Sequence, residues 1–286
     1  MSKDTTLLGL DKNSWFQLFK YALYVFIAVD VVLFFLADYK ATSHTFRDGV
    51  SWAQLTDAYA TTIDSAAWLV LLLMFELETY VIPDEKMGIK TRWVINIVGA
   101  ACFVLIVKAF LGYCDKYIVL GAYSAASFDT ACNAVGIAQS YALEFDEYLK
   151  LTAANCAAVH GNDWYLHESN SILASAEMLE RMKALGLTDV VNAGTWLLVV
   201  IVLQIDVLLQ IHGSLSEKLY RYTIYIKALL YLVLFMAAVY WGYLSALLDF
   251  WDALLWIIAF FFIELNLFQW NEETRAATGP KESKVP

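Results

Sequence analysis

Three apolar segments of the chain each carry two polar side chains two positions apart. They are Glu76 with Glu78, Gln204 with Asp206, and Glu264 with Asn266. A carboxylate in an apolar environment must bind a proton, hold a cation or admit water, because an unpartnered charge is costly at low dielectric. These six residues are therefore the candidate cation- or proton-binding residues of the protein.

The two polar residues of one segment cannot share a site. Positions i and i+2 lie about 200° apart around a helix, so one side chain faces the inside of a helix bundle and the other faces away. The outward set then needs a neighbouring helix, another subunit or lipid headgroups as its partner. We therefore expect a homo-oligomer or a subunit of a membrane complex.

The three segments also align as an internal repeat. "IDSAAWLVLLLMFELET", "VNAGTWLLVVIVLQIDV" and "WDALLWIIAFFFIELNL" each place an Asp or Asn four residues before a Trp, with the polar pair eight and ten residues after that Trp. The first column holds Asp64, Asn192 and Asp252, and the second holds Trp68, Trp196 and Trp256. Two ordinary explanations stay open for these columns: helix N-capping by Asp or Asn, and an aromatic belt at the membrane surface.

Three further charged residues lie within apolar runs and are candidate counter-charges. Lys227 lies roughly 12 Å into its span, close to the level of the acidic residues. Asp30 and Lys108 share a depth in the opposite half of the membrane, so we expect an ion pair between them; alternatively, Lys108 extends to the membrane surface. Even with Lys227 and Lys20 engaged, carboxylates remain in excess, which favours the handling of protons or cations.

The sequence motifs of enzymes and of bound cofactors are absent. The histidines, His44, His160, His167 and His212, all lie away from the centres of the apolar runs, which argues against paired haem ligands. His160 and His167 with Asp163 could hold a metal, but a solvated polar loop is the favoured interpretation. The sequence contains no nucleotide-binding glycine loop, nucleophile elbow or HExxH pattern. We therefore expect neither an enzyme nor a cofactor.

The composition is that of an integral membrane protein. Of the 286 residues, 60% are hydrophobic and 17% are charged, and the mean hydropathy is +0.56. The net charge of -10, from 29 acidic and 19 basic residues, argues against a nucleic-acid partner, because phosphate binding needs a basic surface. Membrane lipid and an inorganic cation or proton are the expected partners.

Six apolar runs are long enough to cross the ~30 Å hydrocarbon core of a bilayer. They cover residues 15–37, 63–82, 92–113, 193–211, 219–247 and 251–270. Lys and Arg gather before the first run, between the second and third, between the fourth and fifth, and after the sixth, so the positive-inside rule places both termini in the cytoplasm. The expected location is a cell membrane of the bacterial inner-membrane type, crossed several times.

The long segment between the third and fourth runs is expected to fold outside the membrane as a small helical cap. Its apolar residues recur at helical spacing, at Phe128, Ala131, Val135, Ala138, Ala142, Phe145 and Leu149, and again at Ile172, Met178, Leu179, Met182 and Leu185. Oxidation is permitted there, and Cys132 with Cys156 is the preferred disulfide among three candidates that include Cys114. Three unpaired thiols are the alternative.

These features predict an all-α polytopic membrane protein with six transmembrane helices, parallel hairpin repeats (spans 2–3, 4–5 and 6) and the cap between spans 3 and 4. The divisions are a cytoplasmic N-terminus (1–14), spans 1–3 (15–114), the extracytoplasmic cap (115–192), spans 4–6 (193–270) and a disordered cytoplasmic tail (271–286). The predicted function is the handling of cations or protons, as a channel or transporter, through an acidic belt in the cytoplasmic half of the bundle. The alternative is a non-catalytic membrane subunit whose polar belt and cap bind partner subunits.

Overall fold

Seven α-helices and a small β-sheet form the described part of the protein. The computed structural model describes residues 12–78, 88–211 and 217–277, with side chains for residues 15–78, 88–206 and 221–262. The helices are α1 (Lys12–Thr45), α2 (Leu55–Ala58), α3 (Ala60–Glu76), α4 (Ile89–Val119), α5 (Ala176–Ile211), α6 (Glu217–Tyr243) and α7 (Leu247–Ala277).

The long helices follow from an apolar sequence without internal prolines. Pro83, Pro280 and Pro286 all lie outside the described helices, so none of these helices loses a backbone hydrogen bond to a proline. A bilayer offers no water to unpaired backbone groups, and a continuous helix pairs them within itself.

Four of the helical stretches are long and apolar enough to cross a membrane: Trp15–Thr45, Ile89–Ala122, Ala176–Asp206 and Arg221–Tyr243. The bent pair of Trp52–Ala58 and Ala60–Glu76, whose axes differ by 81°, supplies a fifth if it is counted as one span. The backbone of α7 is helical over the sixth predicted span, but its side chains are described only to residue 262. The protein is thus a helical multi-pass membrane protein with four or five candidate spans among the described residues.

The helices form a closed ring. Contacts join α1 to α3, α3 to α4, α4 to α5, α5 to α6 and α6 to α7, and α7 returns to α1. The inside of the ring is apolar, with Ile27, Ile106 and Leu234 almost fully buried, whereas large apolar side chains such as Val25 and Leu229 are exposed on the outside. An exposed apolar face of this extent suits the hydrocarbon of a bilayer.

The cap is built on a β-sheet, so the predicted helical cap is wrong for most of its length. Five short strands, β1 (Ser124–Ala126), β2 (Ser140–Ala142), β3 (Tyr148–Lys150), β4 (Trp164–His167) and β5 (Ile172–Ser175), form one sheet in the order β1-β4-β5-β2-β3. Strands β2 and β5 are parallel, and the other neighbours are antiparallel.

The apolar positions of the cap match a helical period only because separate turns and strands supply them. Gly136 has φ +92°, which ends any helix at that point, and the turn at residues 143–147 reverses the chain between β2 and β3. The second apolar stripe is helical from Met178 to Leu185, but those residues belong to α5.

Helices α4 and α5 both extend into the stretch of residues that was predicted to be the cap. Helix α4 ends at Val119 and α5 begins at Ala176, whereas the predicted cap ran from residue 115 to residue 192. The predicted disordered tail begins as helix, since α7 continues to Ala277; residues 1–11 and 278–286 lie outside the described residues. We call the end of the bundle that carries the sheet the cap end, and the opposite end the far end.

Cys132 and Cys156 lie at disulfide-bonding distance, with their Cα atoms 4.8 Å apart. This is the predicted pairing. It joins two 3-10 turns, Ala131–Ala134 and Cys156–Ala158, whose apolar residues pack on Trp164 in the cap. Cys102 and Cys114 are free thiols.

Candidate functional site

Glu76 is buried and paired at the far end of the bundle. Its side chain, 8% exposed, forms a salt bridge with Lys20, whose side chain is 3% exposed. The hydroxyl of Tyr24 donates to the second carboxylate oxygen at 3.2 Å. Both partners come from α1, which packs against α3, so the contact between these two helices makes Lys20 the counter-charge of Glu76.

Asp206 has its own lysine. Lys227 Nζ on α6 lies 3.3 Å from Asp206 Oδ2 on α5. Asp206 Oδ1 is buried and accepts no hydrogen bond from the described residues. The two described acidic residues that face inward at the far end are thus both neutralised by a lysine of the same chain.

The remaining members of the polar pairs face outward or lie outside the described side chains. Glu78 and Gln204 are exposed, while Glu76 and Asp206, two positions away, are buried. Both described pairs therefore have the opposite orientations that the helical geometry predicts. The side chains of Glu264 and Asn266 lie outside the described residues.

The predicted ion pair between Asp30 and Lys108 is not formed. Asp30 is 2% exposed on the inner face of α1, whereas Lys108 is exposed on α4. The buried face of α4 includes Ile106 and Ala109, so the side chain of Lys108 lies on the other face of that helix. Equal depth does not bring two residues together when their helices are rotated apart.

The three tryptophans of the repeat alignment meet inside the bundle. The ring centroid of Trp68 lies 6.2 Å from that of Trp196 and 6.4 Å from that of Trp256, and all three rings contact Phe260. All four side chains are buried, so the aromatic-belt interpretation is wrong for these tryptophans. We call this group, Trp68, Trp196, Trp256 and Phe260, the aromatic plug.

A cavity of about 640 Å³ lies on the side of the aromatic plug that faces the cap, and we call it the cap-side chamber. Carboxylate and amide side chains from the helices line the walls of the chamber. The turn between β2 and β3 contributes acidic residues to the side nearest the cap, which we call the roof. The wall residues are Asp38, Asp64, Asp189, Asn192, Asp249 and Asp252, and the roof residues are Glu144, Asp146 and Glu147.

The whole first column of the repeat alignment, Asp64, Asn192 and Asp252, lines this chamber. All three residues lie one turn or more inside their helices, so helix N-capping does not explain them. The sequence signal was present in the alignment. The alignment did not predict a shared cavity, because the capping and aromatic-belt explanations did not require the three segments to meet.

Hydrogen-bond donors hold three of the chamber carboxylates, two of them from a neighbouring helix and one from the same helix. Asp38 accepts hydrogen bonds from the backbone N–H and the hydroxyl of Thr62, at 3.1 and 2.7 Å. Asp64 accepts one from the hydroxyl of Tyr113 at 3.3 Å, and Asp252 accepts one from the indole N–H of Trp256 at 3.1 Å. The last contact ties the chamber wall to the aromatic plug.

Two basic residues attach the roof to the helices. Lys116 Nζ on α4 lies 3.4 Å from Asp146 Oδ2 and 3.9 Å from Asp38 Oδ1. Arg181 on α5 lies 2.9 Å from Glu144 Oε1 and also donates to the carbonyl of Leu244.

Tyr148, at the edge of the roof, keeps its proton. Burial and the charge of Asp146 raise the pKa of Tyr148, and its hydroxyl donates to the carbonyl of Phe145 at 2.9 Å. The roof is therefore a hydrogen-bonded part of the chamber.

Acidic groups dominate the chamber. Eight carboxylates line it, and Lys40 is the one basic lining residue among those described. A concave surface of one sign, walled by low-dielectric protein, raises the local concentration of ions of opposite sign. Within the described residues, no three His, Cys, Asp or Glu side chains are grouped closely enough to hold a metal ion. The chamber is therefore acidic, but its described residues do not form a metal centre.

Comparison of the chain with protein-family models, curated proteins and solved structures finds no match.

Proposed function

We propose that the protein handles cations or protons across a membrane, as a channel or transporter, and that the cap-side chamber is where they enter. The surplus of carboxylates in this chamber, set inside a bundle of apolar helices, carries the proposal. A structural cavity between helices gains nothing from eight acidic groups, because each ionised carboxylate away from bulk water needs a compensating charge.

The proposed orientation places the chamber toward the outside. Basic residues cluster in the segments at the far end, such as Lys90 and Arg92, which the positive-inside rule assigns to the cytoplasm. A cation approaching from outside then meets the roof and the chamber first. The aromatic plug separates it from the far end, so crossing requires a rearrangement of Trp68 and its partners.

The salt bridges at the far end support a role in release. A cation or proton that reaches Glu76 or Asp206 competes with Lys20 or Lys227 for the same carboxylate. When no transported ion is bound, the lysine neutralises the carboxylate. This pairing lowers the free-energy cost of burying the carboxylate. In this proposal Glu76 and Asp206 bind the transported ion, and Lys20 and Lys227 are displaceable counter-charges.

A non-catalytic membrane subunit is the second candidate, and one observation favours it. The buried carboxylates at the far end are already neutralised within the chain, as in a belt that only joins helices. In that case partner subunits or further copies of the chain would contact the surface of the cap and the exposed residues of the polar pairs, Glu78 and Gln204.

Ion flux in proteoliposomes tests the proposal. We expect the purified protein to move Na⁺, K⁺ or H⁺ down an imposed gradient. Asp64→Asn and Asp252→Asn should each lower the initial rate of flux about tenfold or more, because each substitution weakens the electrostatic field that concentrates cations in the chamber. Glu180→Gln is the matched control, since Glu180 is an exposed carboxylate on α5, paired with Lys183 and outside the chamber. If the unaltered protein moves none of these ions under any gradient, transport is excluded and the subunit hypothesis takes its place.

A further inference from the structure

Asp30 is the most isolated buried acid in the described part of the protein. It is 2% exposed and lies on the inner face of α1, one turn from both Ile27 and Phe34, which are also buried. Its Oδ2 atom has no hydrogen-bond partner, and no salt bridge involves Asp30 among the described residues. The other buried carboxylates named above contact a lysine or a hydrogen-bond donor, so Asp30 needs a separate explanation.

An ionised carboxylate in these surroundings would be far more costly than a neutral one. Lysine does not neutralise Asp30, since Lys108 is exposed on another helix. A metal or alkali cation would need several oxygen ligands around it, and the described residues contain no cluster of three acidic, His or Cys side chains that could supply them. A proton needs only the carboxylate itself.

Asp30 also occupies an intermediate position between the two polar regions. The buried face of α1 carries Lys20, Asp30 and Asp38, and the 10 and 8 residues between them correspond to about 15 and 12 Å along the helix. Lys20 belongs to the salt bridge at the far end, and Asp38 lines the cap-side chamber.

The titratable groups around Asp30 come from the helices that pack on α1. On α7, Asp252 of the chamber wall is close enough to Asp30 for the two charges to interact, and Asp64 of α3 lies close to Asp252 in the same way. Toward the far end, Tyr24 of α1 and Glu76 of α3 are hydrogen-bonded to each other. The contact of α1 with β3 lies near His44, some 14 residues or about 21 Å beyond Asp30.

We infer that the transported ion is H⁺ and that Asp30 binds it between the cap-side chamber and the Lys20–Glu76 salt bridge. This inference rests on the proposed function. In the step at Asp30, an O–H bond of a donor on the chamber side, an acid or a hydronium ion, breaks as an O–H bond forms at the Asp30 carboxylate. In the next step that O–H bond breaks as an O–H bond forms at the Glu76 carboxylate, which then no longer pairs with Lys20. Only O–H bonds change, and one positive charge moves with the proton.

The test measures ion flux and the protonation of Asp30 separately. We expect the unaltered protein in liposomes to acidify or alkalinise the lumen when a pH gradient and a potential are imposed, with Na⁺ and K⁺ gradients alone giving no flux. Asp30→Asn, which keeps the shape but cannot release a proton, should lower the proton flux about 100-fold, the usual size of a lost proton-transfer group. Asp48→Asn is the matched control, because Asp48 is exposed just beyond the cap end of α1.

Infrared difference spectroscopy supplies a readout that needs no transport. The unaltered protein at neutral pH should show the C=O stretching band of protonated carboxylic acids, and Asp30→Asn should lower its intensity while Asp48→Asn leaves it unchanged. Size-exclusion chromatography of each variant checks that the fold survives.

The outcomes distinguish the inference from the function on which it rests. Flux of Na⁺ or K⁺ without proton movement would overturn the inference and leave the proposed function standing. Proton flux that Asp30→Asn does not change, or an unaltered carboxylic-acid band in that variant, would overturn the role of Asp30. No flux of any cation would remove the proposed function itself.

Discussion

The salt bridge between Lys20 and Glu76 shows how one pair of residues can depend on each other in a membrane bundle. Both side chains are almost fully buried, so neither has water as an alternative partner. Removing one partner leaves the other as a buried charge, which is worse than losing both.

We expect Lys20→Met and Glu76→Gln each to lower the free energy of unfolding by about 3 kcal/mol. The double variant should lose clearly less than the sum of the two, because it leaves no buried charge behind. Unfolding of the purified protein in mixed micelles by increasing denaturant measures these differences.

The exposed pair on α5 is the control for this cycle. Glu180 and Lys183 lie 3.2 Å apart with exposed side chains, and Glu180→Gln should change the free energy of unfolding by less than about 0.5 kcal/mol. Additive losses in the Lys20 and Glu76 double variant would contradict the coupling of that pair.

At the scale of elements, the bend between α2 and α3 depends on a glycine in the neighbouring helix. The backbone of Tyr59, with φ −124° and ψ 35°, interrupts the helix, and α2 then packs against α4. A Cβ atom on Gly112 of α4 would lie 3.1 Å from the Cβ of Ala60 and 3.2 Å from the carbonyl oxygen of Thr56. Neither of these atoms can rotate away as the end of a long side chain could.

We therefore expect Gly112→Ala to be less stable than Gly99→Ala by about 1–2 kcal/mol, the usual cost of overpacking. Gly99 is on the same helix, and its added Cβ would meet only a Leu71 methyl carbon at 3.9 Å. Both substitutions gain the same helix propensity, so their difference isolates the contact of α4 with α2 and the start of α3. Thermal unfolding of the two variants side by side measures it, and equal midpoints would show that α2 yields to the added methyl group.

At the scale of the whole molecule, the cap is attached to the bundle by polar contacts at the cap ends of α1 and α4. His44 Nδ1 lies 2.8 Å from the hydroxyl of Ser140, and Arg47 donates to the same hydroxyl at 3.3 Å. On the other side, His167 of β4 packs edge-on against Tyr123, which follows α4, with ring centroids 5.1 Å apart. These contacts hold the roof over the chamber.

His167 makes this attachment sensitive to pH. Burial lowers the pKa of His167, and its Nδ1 accepts a hydrogen bond from the backbone N–H of Asn170 at 3.3 Å, which requires an unprotonated nitrogen. Below about pH 6.5 the unfolded chain binds the proton more readily than the folded chain, so the unfolding free energy of the cap falls as the pH drops. Above that pH both states are neutral at this residue and the effect disappears.

Limited proteolysis of the cap at pH 5 and pH 7.5 measures this dependence. We expect faster cleavage at pH 5 in the unaltered protein and a smaller ratio of the two rates in His167→Gln. His160→Gln is the control, because His160 is exposed in the same cap. A ratio that His167→Gln leaves unchanged would assign the pH dependence to other groups.

The sequence by itself determined the features that depend on local geometry. Long apolar runs without proline had to form helices, because a bilayer leaves the backbone no other partner. The separation of Glu76 from Glu78 by two positions had to place one inside and the other outside. The preferred pairing of Cys132 with Cys156 is also present, although spacing alone did not exclude the other pairings.

Only the tertiary structure decided which residues meet, because this depends on how each helix is rotated and tilted against its neighbours. Asp30 and Lys108 share a depth but face different directions, while Lys20 reaches Glu76 across the contact of α1 with α3. The β-sheet of the cap depends on pairings between distant strands, such as β2 with β5, which no local period reveals. The chamber arises in the same way, since Asp64, Asn192 and Asp252 form one wall only when three helices bring them to one level of the ring.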